Sequence, residues 1–181
     1  PAVLPQGMNR WKRLAPPHTD PWRPWLAWRG SLTWRIRARE PDFRVRIVRQ
    51  GPRIPNDDEC RQLGQPAHRV AFVREVLLLA KGEPVVLAHS SAAWRDLAGP
   101  WRGLRGLGTR PLAEALFTDP RVRRDPLEFV RLDRRHPLWR QAAALTGRDL
   151  PVLRARRSRF LKRGRPLLVT EVFLPALVRL G

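Results

Sequence analysis

Two charged side chains sit where strands would bury them. Arg74 lies within Arg69-Val-Ala-Phe-Val-Arg-Glu-Val-Leu-Leu-Leu-Ala80, and Glu171 within Arg165-Pro-Leu-Leu-Val-Thr-Glu-Val-Phe-Leu-Pro175, both runs dominated by large apolar residues. Strand side chains alternate between faces, which groups Arg74 with Val70, Phe72, Val76 and Leu78, and Glu171 with Leu167, Val169 and Phe173. An unpaired charge is costly to bury, so Glu171 must be neutral, paired or employed. Arginine offers a fixed fork that matches a carboxylate through two parallel hydrogen bonds. Glutamate accepts from a hydroxyl or takes a proton. Together the two suit a small, flat, anionic molecule held on a sheet face beneath a lid. The competing reading is a buried salt bridge, formed between them or with other residues.

Several other chemistries are excluded by residue type and spacing. His18, His68, His89 and His136 are scattered, and none has a partner at the helical spacing of a zinc motif. Cys60 lies in an acidic stretch, a poor setting for a nucleophile. There is no G-x-S-x-G elbow and no tyrosine. The glycines between Gly99 and Gly108 form neither a phosphate loop nor a dinucleotide fingerprint. Catalysis would fall to carboxylates and arginines, with no metal and no bound cofactor.

The elements that must position these groups follow from pattern. Residues 1 to 20, broken by Pro1, Pro5, Pro16 and Pro17, read as poorly ordered, and residues 21–181 as one domain. Trp22, Trp25 and Trp28 mark the packed side of a short helix ended by Gly30. Ser31 to Arg37 and Phe43 to Arg49 alternate and read as strands, and Gln50 to Glu59 as a loop. The strand at 69–80 turns through Lys81-Gly-Glu-Pro84 into a partner at 85–90. Residues 91–120 read as a helical, loop-rich lid containing a short helix begun by Pro111. A strand at 127–132, a helix at 137–145 and a final hairpin across Arg163-Gly164 complete the chain, and the arginines from Arg154 to Arg159 read as the solvated side of their strand. The fold class is α+β: a single domain with a six-stranded antiparallel sheet and helical flaps over a buried ligand pocket.

Length and composition agree with one domain. The 181 residues are 43% hydrophobic, and no apolar run approaches the ~18–20 residues needed to span a membrane. A lone cysteine excludes an internal disulfide and points to a reducing compartment, with cytoplasm expected. The net charge of +20 favours anionic ligands or polyanions. Only Lys12, Lys81 and Lys162 are lysines among 36 basic residues, a bias that a GC-rich coding sequence would also produce.

Four blocks occur in an order that resembles the chorismate pyruvate-lyase family: Arg74-Glu-Val-Leu-Leu with Gly82-Glu-Pro84, Leu107-Gly-Thr-Arg-Pro-Leu112 with Leu116-Phe117, Arg156-Arg-Ser-Arg159, and Pro166 to Pro175. The resemblance runs from about Trp22 to Pro175. It implies an antiparallel sheet with a ligand buried under helical flaps, and elimination of pyruvate from chorismate to give 4-hydroxybenzoate for ubiquinone synthesis, without a cofactor. It also implies residue roles. Arg74 would bind the ring carboxylate, Glu171 the ring hydroxyl, Leu112 would contribute backbone contacts, and Leu32 falls where the family can carry a methionine lining the site. His89 stands where relatives often carry an arginine near the leaving enolpyruvyl group, so a second-anion contact would be weak there or need a protonated ring. A hand-over of product to a downstream membrane prenyltransferase is implied as well, with no nucleic acid as partner. Two other classes remain open at this point: a non-catalytic domain binding a small anionic effector, and a basic nucleic-acid-binding protein.

Overall fold

The computed structural model describes residues 11–181. Residues 1–10, half of the segment expected to be poorly ordered, lie outside the described residues. Within the other half, Lys12 pairs with Phe129 through two backbone hydrogen bonds of 2.9 and 2.7 Å.

Seven antiparallel strands make one sheet: β1 (Phe43–Arg53), β2 (Ala71–Ala80), β3 (Glu83–Ala93), β4 (Val122–Arg124), β5 (Glu128–Leu132), β6 (Leu153–Lys162) and β7 (Arg165–Phe173). Their spatial order is β1-β2-β3-β7-β6-β4, with β5 beside β4 on the same edge of β6. Two tight hairpins set the register of the centre. Lys81-Gly82 joins β2 to β3 and Arg163-Gly164 joins β6 to β7, each with positive φ at both turn residues, the geometry that glycine accommodates and that matches strand twist.

Alternation along these strands assigns the two faces. Phe72, Arg74, Val76 and Leu78 of β2 share a face with Val86, Ala88, Ser90 and Ala92 of β3, Leu167, Val169, Glu171 and Phe173 of β7, and Arg156, Ser158 and Phe160 of β6. Helices α1 (Arg23–Leu26), α2 (Leu32–Arg39) and α4 (Leu112–Phe117) cover that face. Helix α5 (Pro137–Thr146) seals the other, with Trp139 and Ala142 packed on the cluster of Leu77, Leu87, Leu153 and Val172. Burial on both faces explains why β2 and β7 read as nearly continuous apolar runs.

Four expectations from sequence change. Ser31 to Arg37 is the start of α2 rather than a strand: Ser31 caps it by accepting from the Trp34 amide at 3.2 Å, and Leu32, Thr33 and Ile36 are buried on a helical face while Trp34 is 44% exposed. Gln50 to Glu59 is not a loop. Strand β1 continues to Arg53 past a bulge between Ile47 and Arg49, and α3 (Asp57–Gln62) opens with a capping box of Asn56 and Glu59. Its acidic first turn favours the positive end of the helix. The sheet also gains a three-residue strand, β4, for which the sequence carries no periodic signal. Of the tryptophan stripe, Trp25 is buried and Trp22 lies 6.3 Å from Phe173, but Trp28 faces outward beneath Arg35.

Candidate active site

A small, mostly enclosed cavity lies between the sheet and the helices α2 and α4. Its floor is Arg74, Val76 and Leu78 of β2, Ala88 and Ser90 of β3, Val169 and Glu171 of β7, Arg156 and Phe160 of β6 and Arg124 of β4. Its roof is Leu32 and Thr33, which open α2, with Leu112, Leu116 and Phe117 of α4. The space open to the centre of a water-sized sphere is about 50 Å³, several times the roughly 10–15 Å³ that one water needs. That suits a small ring.

Arg74 is 2% exposed, and its guanidinium has no carboxylate partner among the described residues. Nη2 donates to the carbonyls of Gly108 and Arg110, at 3.0 and 3.2 Å, while Nε is buried without any acceptor. Burial pushes the guanidinium below the usual arginine range. A buried cation with an orphaned donor is costly for the protein alone, and an anionic ligand in the cavity would remove that cost.

Glu171 does not pair with Arg74. Its Oε2 accepts from Arg156 Nε at 2.5 Å, and among the described residues no other group donates to it. Arg156 is 1% exposed, and its Nη1 donates to the carbonyls of Trp25, Leu26 and Trp28, which close the end of α1. One guanidinium thus fixes both the carboxylate and the first flap. The salt-bridge reading holds for Glu171 and fails for Arg74. The basic stretch from Arg154 to Arg159 is accordingly not a solvated face, since Arg156 and Arg157 are both buried, Arg157 against Glu128 and Asp58 on the other side of the sheet.

Leu32 and Leu112 lie in the cavity wall with Arg74 and Glu171. His89 does not. It pairs in register with Glu75, one residue past Arg74, and so points to the opposite face. There Nδ1 lies 2.9 Å from Glu75 Oε1 and Nε2 lies 2.7 Å from Glu59 Oε1, the second being a close ionic contact rather than a well-angled hydrogen bond. Gln141 donates to Glu75 Oε2 at 2.6 Å. Burial alone would depress the imidazole, but Glu59 and Glu75 outweigh it and raise its pKa to about 10. His89 is therefore an internal imidazolium between two carboxylates, and a place beside the ligand is corrected.

Arg124 was not foreseen. Its Nε donates to Ser158 Oγ at 2.8 Å and its Nη1 to the Arg29 carbonyl at 2.6 Å, and its guanidinium lies over the rings of Phe117 and Phe160, 5.5 and 5.2 Å from their centroids. Burial lowers its pKa to about 10, with Glu171 opposing and Arg156 adding to the fall.

Comparisons with known proteins bear on the family of the chain rather than on this cavity. The family model for chorismate lyase covers residues 15–179. The chain belongs to the chorismate lyase family. A relative from Aromatoleum aromaticum, named "probable chorismate pyruvate-lyase", is 46% identical over 91% of this chain and 97% of its own length. Relatives of the same name from Thiobacillus denitrificans and Ralstonia nicotianae are 50% and 45% identical, covering 86% and 97% of this chain and 83% and 94% of their own lengths. Among solved structures, the effector domain of PhnF from Mycobacterium smegmatis is similar with a TM-score of 0.55 and 18% identity, over 81% of this chain and 90% of that one. A GntR-family transcriptional regulator from Bacillus cereus gives 0.54 and 10%, over 75% and 93%. At these identities the likeness is one of fold.

Proposed function

We propose that this protein is a chorismate pyruvate-lyase, converting chorismate to 4-hydroxybenzoate and pyruvate. The observation that carries the reading is Arg74, a buried guanidinium with an orphaned Nε in the same small cavity as Glu171. The ring carboxylate of chorismate supplies what Arg74 lacks, through a charge-assisted contact to Nε. The ring hydroxyl, at the far end of the molecule, is accepted by the Glu171 oxygen that Arg156 leaves open. Leu32 and Leu112 close over the ring and exclude water.

The reaction then asks little of the protein. The hydrogen on the hydroxyl-bearing carbon leaves as a proton, its bonding pair enters the ring, and the neighbouring carbon–oxygen bond breaks with its electrons on the ether oxygen. The ring becomes aromatic, and the released enolpyruvate takes a proton on its methylene carbon to become pyruvate. Aromatisation supplies much of the driving force, so orientation in a dry pocket and modest proton transfer suffice. Glu171 orients the hydroxyl and assists removal of the proton. The strong net positive charge raises the local concentration of a dianionic substrate.

The wider reading is a cytoplasmic enzyme that supplies 4-hydroxybenzoate to a membrane prenyltransferase for ubiquinone synthesis, and it rests on the family. Among the described residues no helix is long and apolar enough to cross a membrane. The decisive experiment incubates purified protein with chorismate and follows the ultraviolet absorbance of 4-hydroxybenzoate together with pyruvate. Equal amounts of both, well above the spontaneous rate, are expected, and no excess over that background overturns the reading.

A further inference from the structure

Chorismate carries two carboxylates, and the cavity contains three arginines. Arg156 is committed to Glu171. Arg74 and Arg124 line the same cavity, and neither has a carboxylate within ion-pair distance among the described residues. If Arg74 takes the ring carboxylate, one anion and one guanidinium remain. His89, the position expected to meet the second anion, is on the wrong face of the sheet.

We infer that Arg124 is the residue that binds the enolpyruvyl carboxylate, an assignment that rests on the lyase reading above. Placement favours it. Strands β2 and β4 are separated by β3, β7 and β6, four strand spacings or roughly 19 Å, so Arg74 and Arg124 face the cavity from opposite sides. The enolpyruvyl ether sits on the ring carbon next to the hydroxyl-bearing one, so its carboxylate belongs near Glu171 and away from Arg74. Arg124 is the side chain close enough to Glu171 and Arg156 to feel both charges. The side chain is also preorganised: Ser158 Oγ and the Arg29 carbonyl hold two of its nitrogens, and the rings of Phe117 and Phe160 fix its plane. When the ether bond breaks, the departing enolpyruvate keeps its carboxylate against Arg124 while its oxygen takes up the bonding electrons. The product 4-hydroxybenzoate, with a single carboxylate, has no anion to offer this residue.

That difference makes the assignment testable. Steady-state turnover of chorismate and equilibrium binding of 4-hydroxybenzoate are measured for the parent, Arg124→Gln and Arg124→Lys, with thermal melts alongside. Arg124→Gln is expected to raise KM for chorismate at least tenfold, the size of a lost charge-assisted contact, and to change the 4-hydroxybenzoate Kd less than threefold. Arg124→Lys should recover part of the KM. Loss of both affinities in equal measure, or an unchanged KM, overturns the assignment. If the glutamine variant does not melt cooperatively, the lysine variant decides: a KM raised more than threefold at constant product Kd supports the contact, and a KM equal to the parent's removes it. A parent protein that binds 4-hydroxybenzoate but makes no pyruvate sinks the lyase reading, and the assignment with it, before any variant is compared.

Discussion

Arg156 and Glu171 stand directly opposite each other on β6 and β7, joined by a 2.5 Å hydrogen bond from Nε to Oε2. The same guanidinium reaches three carbonyls at the end of α1. The carboxylate proposed to meet the substrate is therefore oriented by a residue that also anchors a flap, and site geometry and flap position are one structural unit. Arg156→Met should cost stability as well as activity. Removing one partner of a buried pair costs about 3–5 kcal/mol, which a urea melt would read directly. A loss below about 1 kcal/mol would mean that the flap is held elsewhere.

Arg74 should behave in the opposite way. Arg74→Met removes a buried cation that has no carboxylate of its own, so the ligand-free protein should melt higher than the parent. Binding of 4-hydroxybenzoate should weaken by about 2–5 kcal/mol, a factor of roughly 30 or more. Differential scanning calorimetry with and without 4-hydroxybenzoate tests both halves. A variant that melts early and still binds would make Arg74 a structural residue.

Glu171→Gln keeps the shape of the side chain and its place beside Arg156 but cannot take a proton. General-base assistance is worth about 10²–10⁴ in rate, so kcat should fall by at least about 100-fold while KM moves little. A kcat within threefold of the parent would leave Glu171 with orientation alone.

The triad of His89, Glu59 and Glu75 predicts a pH dependence of stability rather than of chemistry. His89 titrates at about 10 folded against 6.5 unfolded. Its contribution is complete below about pH 6.5 and is lost as the pH rises through 10. Glu59 and Glu75 are held below their ordinary 4.5, chiefly by His89 against the opposing effect of burial, so their contribution is present above that value and is lost as the pH falls through their folded values. Urea midpoints for the parent should therefore decline from pH 6.5 toward 10. His89→Gln should start lower and show a flatter decline, with KM for chorismate within about twofold of the parent. A large KM effect with unchanged melts would return His89 to the ligand.

The flaps lead to a kinetic prediction. Ser31 caps α2, whose first residue, Leu32, roofs the cavity. A product enclosed in this way should leave slowly enough for release to limit turnover, giving a burst of 4-hydroxybenzoate in stopped-flow. Ser31→Ala removes a cap worth about 1 kcal/mol and should shrink the burst by speeding release. A parent trace without a burst would place the slow step in the chemistry.

Legibility in the sequence followed the strength of the local pattern. Arg74 and Glu171 were found because each interrupts a long strand whose alternation is unambiguous. The same alternation, applied to β3 from the Lys81-Gly82 turn, would have put His89 opposite Glu75 and out of the cavity. Resemblance alone had placed it inside. Counting back from Arg163-Gly164 would likewise have set Arg156 against Glu171, had the arginine-rich stretch not read as solvated. Leu32, Trp34 and Ile36 satisfy a strand pattern while Leu32, Thr33 and Ile36 satisfy a helical one, and the serine cap separates the two. Arg124 had no signal: it sits in a three-residue strand whose place depends on pairing with a segment about 36–40 residues further along the chain.

The outer strand β1 gives part of the net charge a second use. Among the described residues nothing pairs with its far side, which would otherwise be a template for another chain to add a strand. Arg44, Arg46, Arg49 and Arg53 are exposed along it, Pro52 removes a donor, and the bulge after Ile47 bends it. Two copies approaching edge to edge would bring like charges together at strand spacing. An arginine-lined, bulged edge of this kind disfavours polymerisation through the sheets.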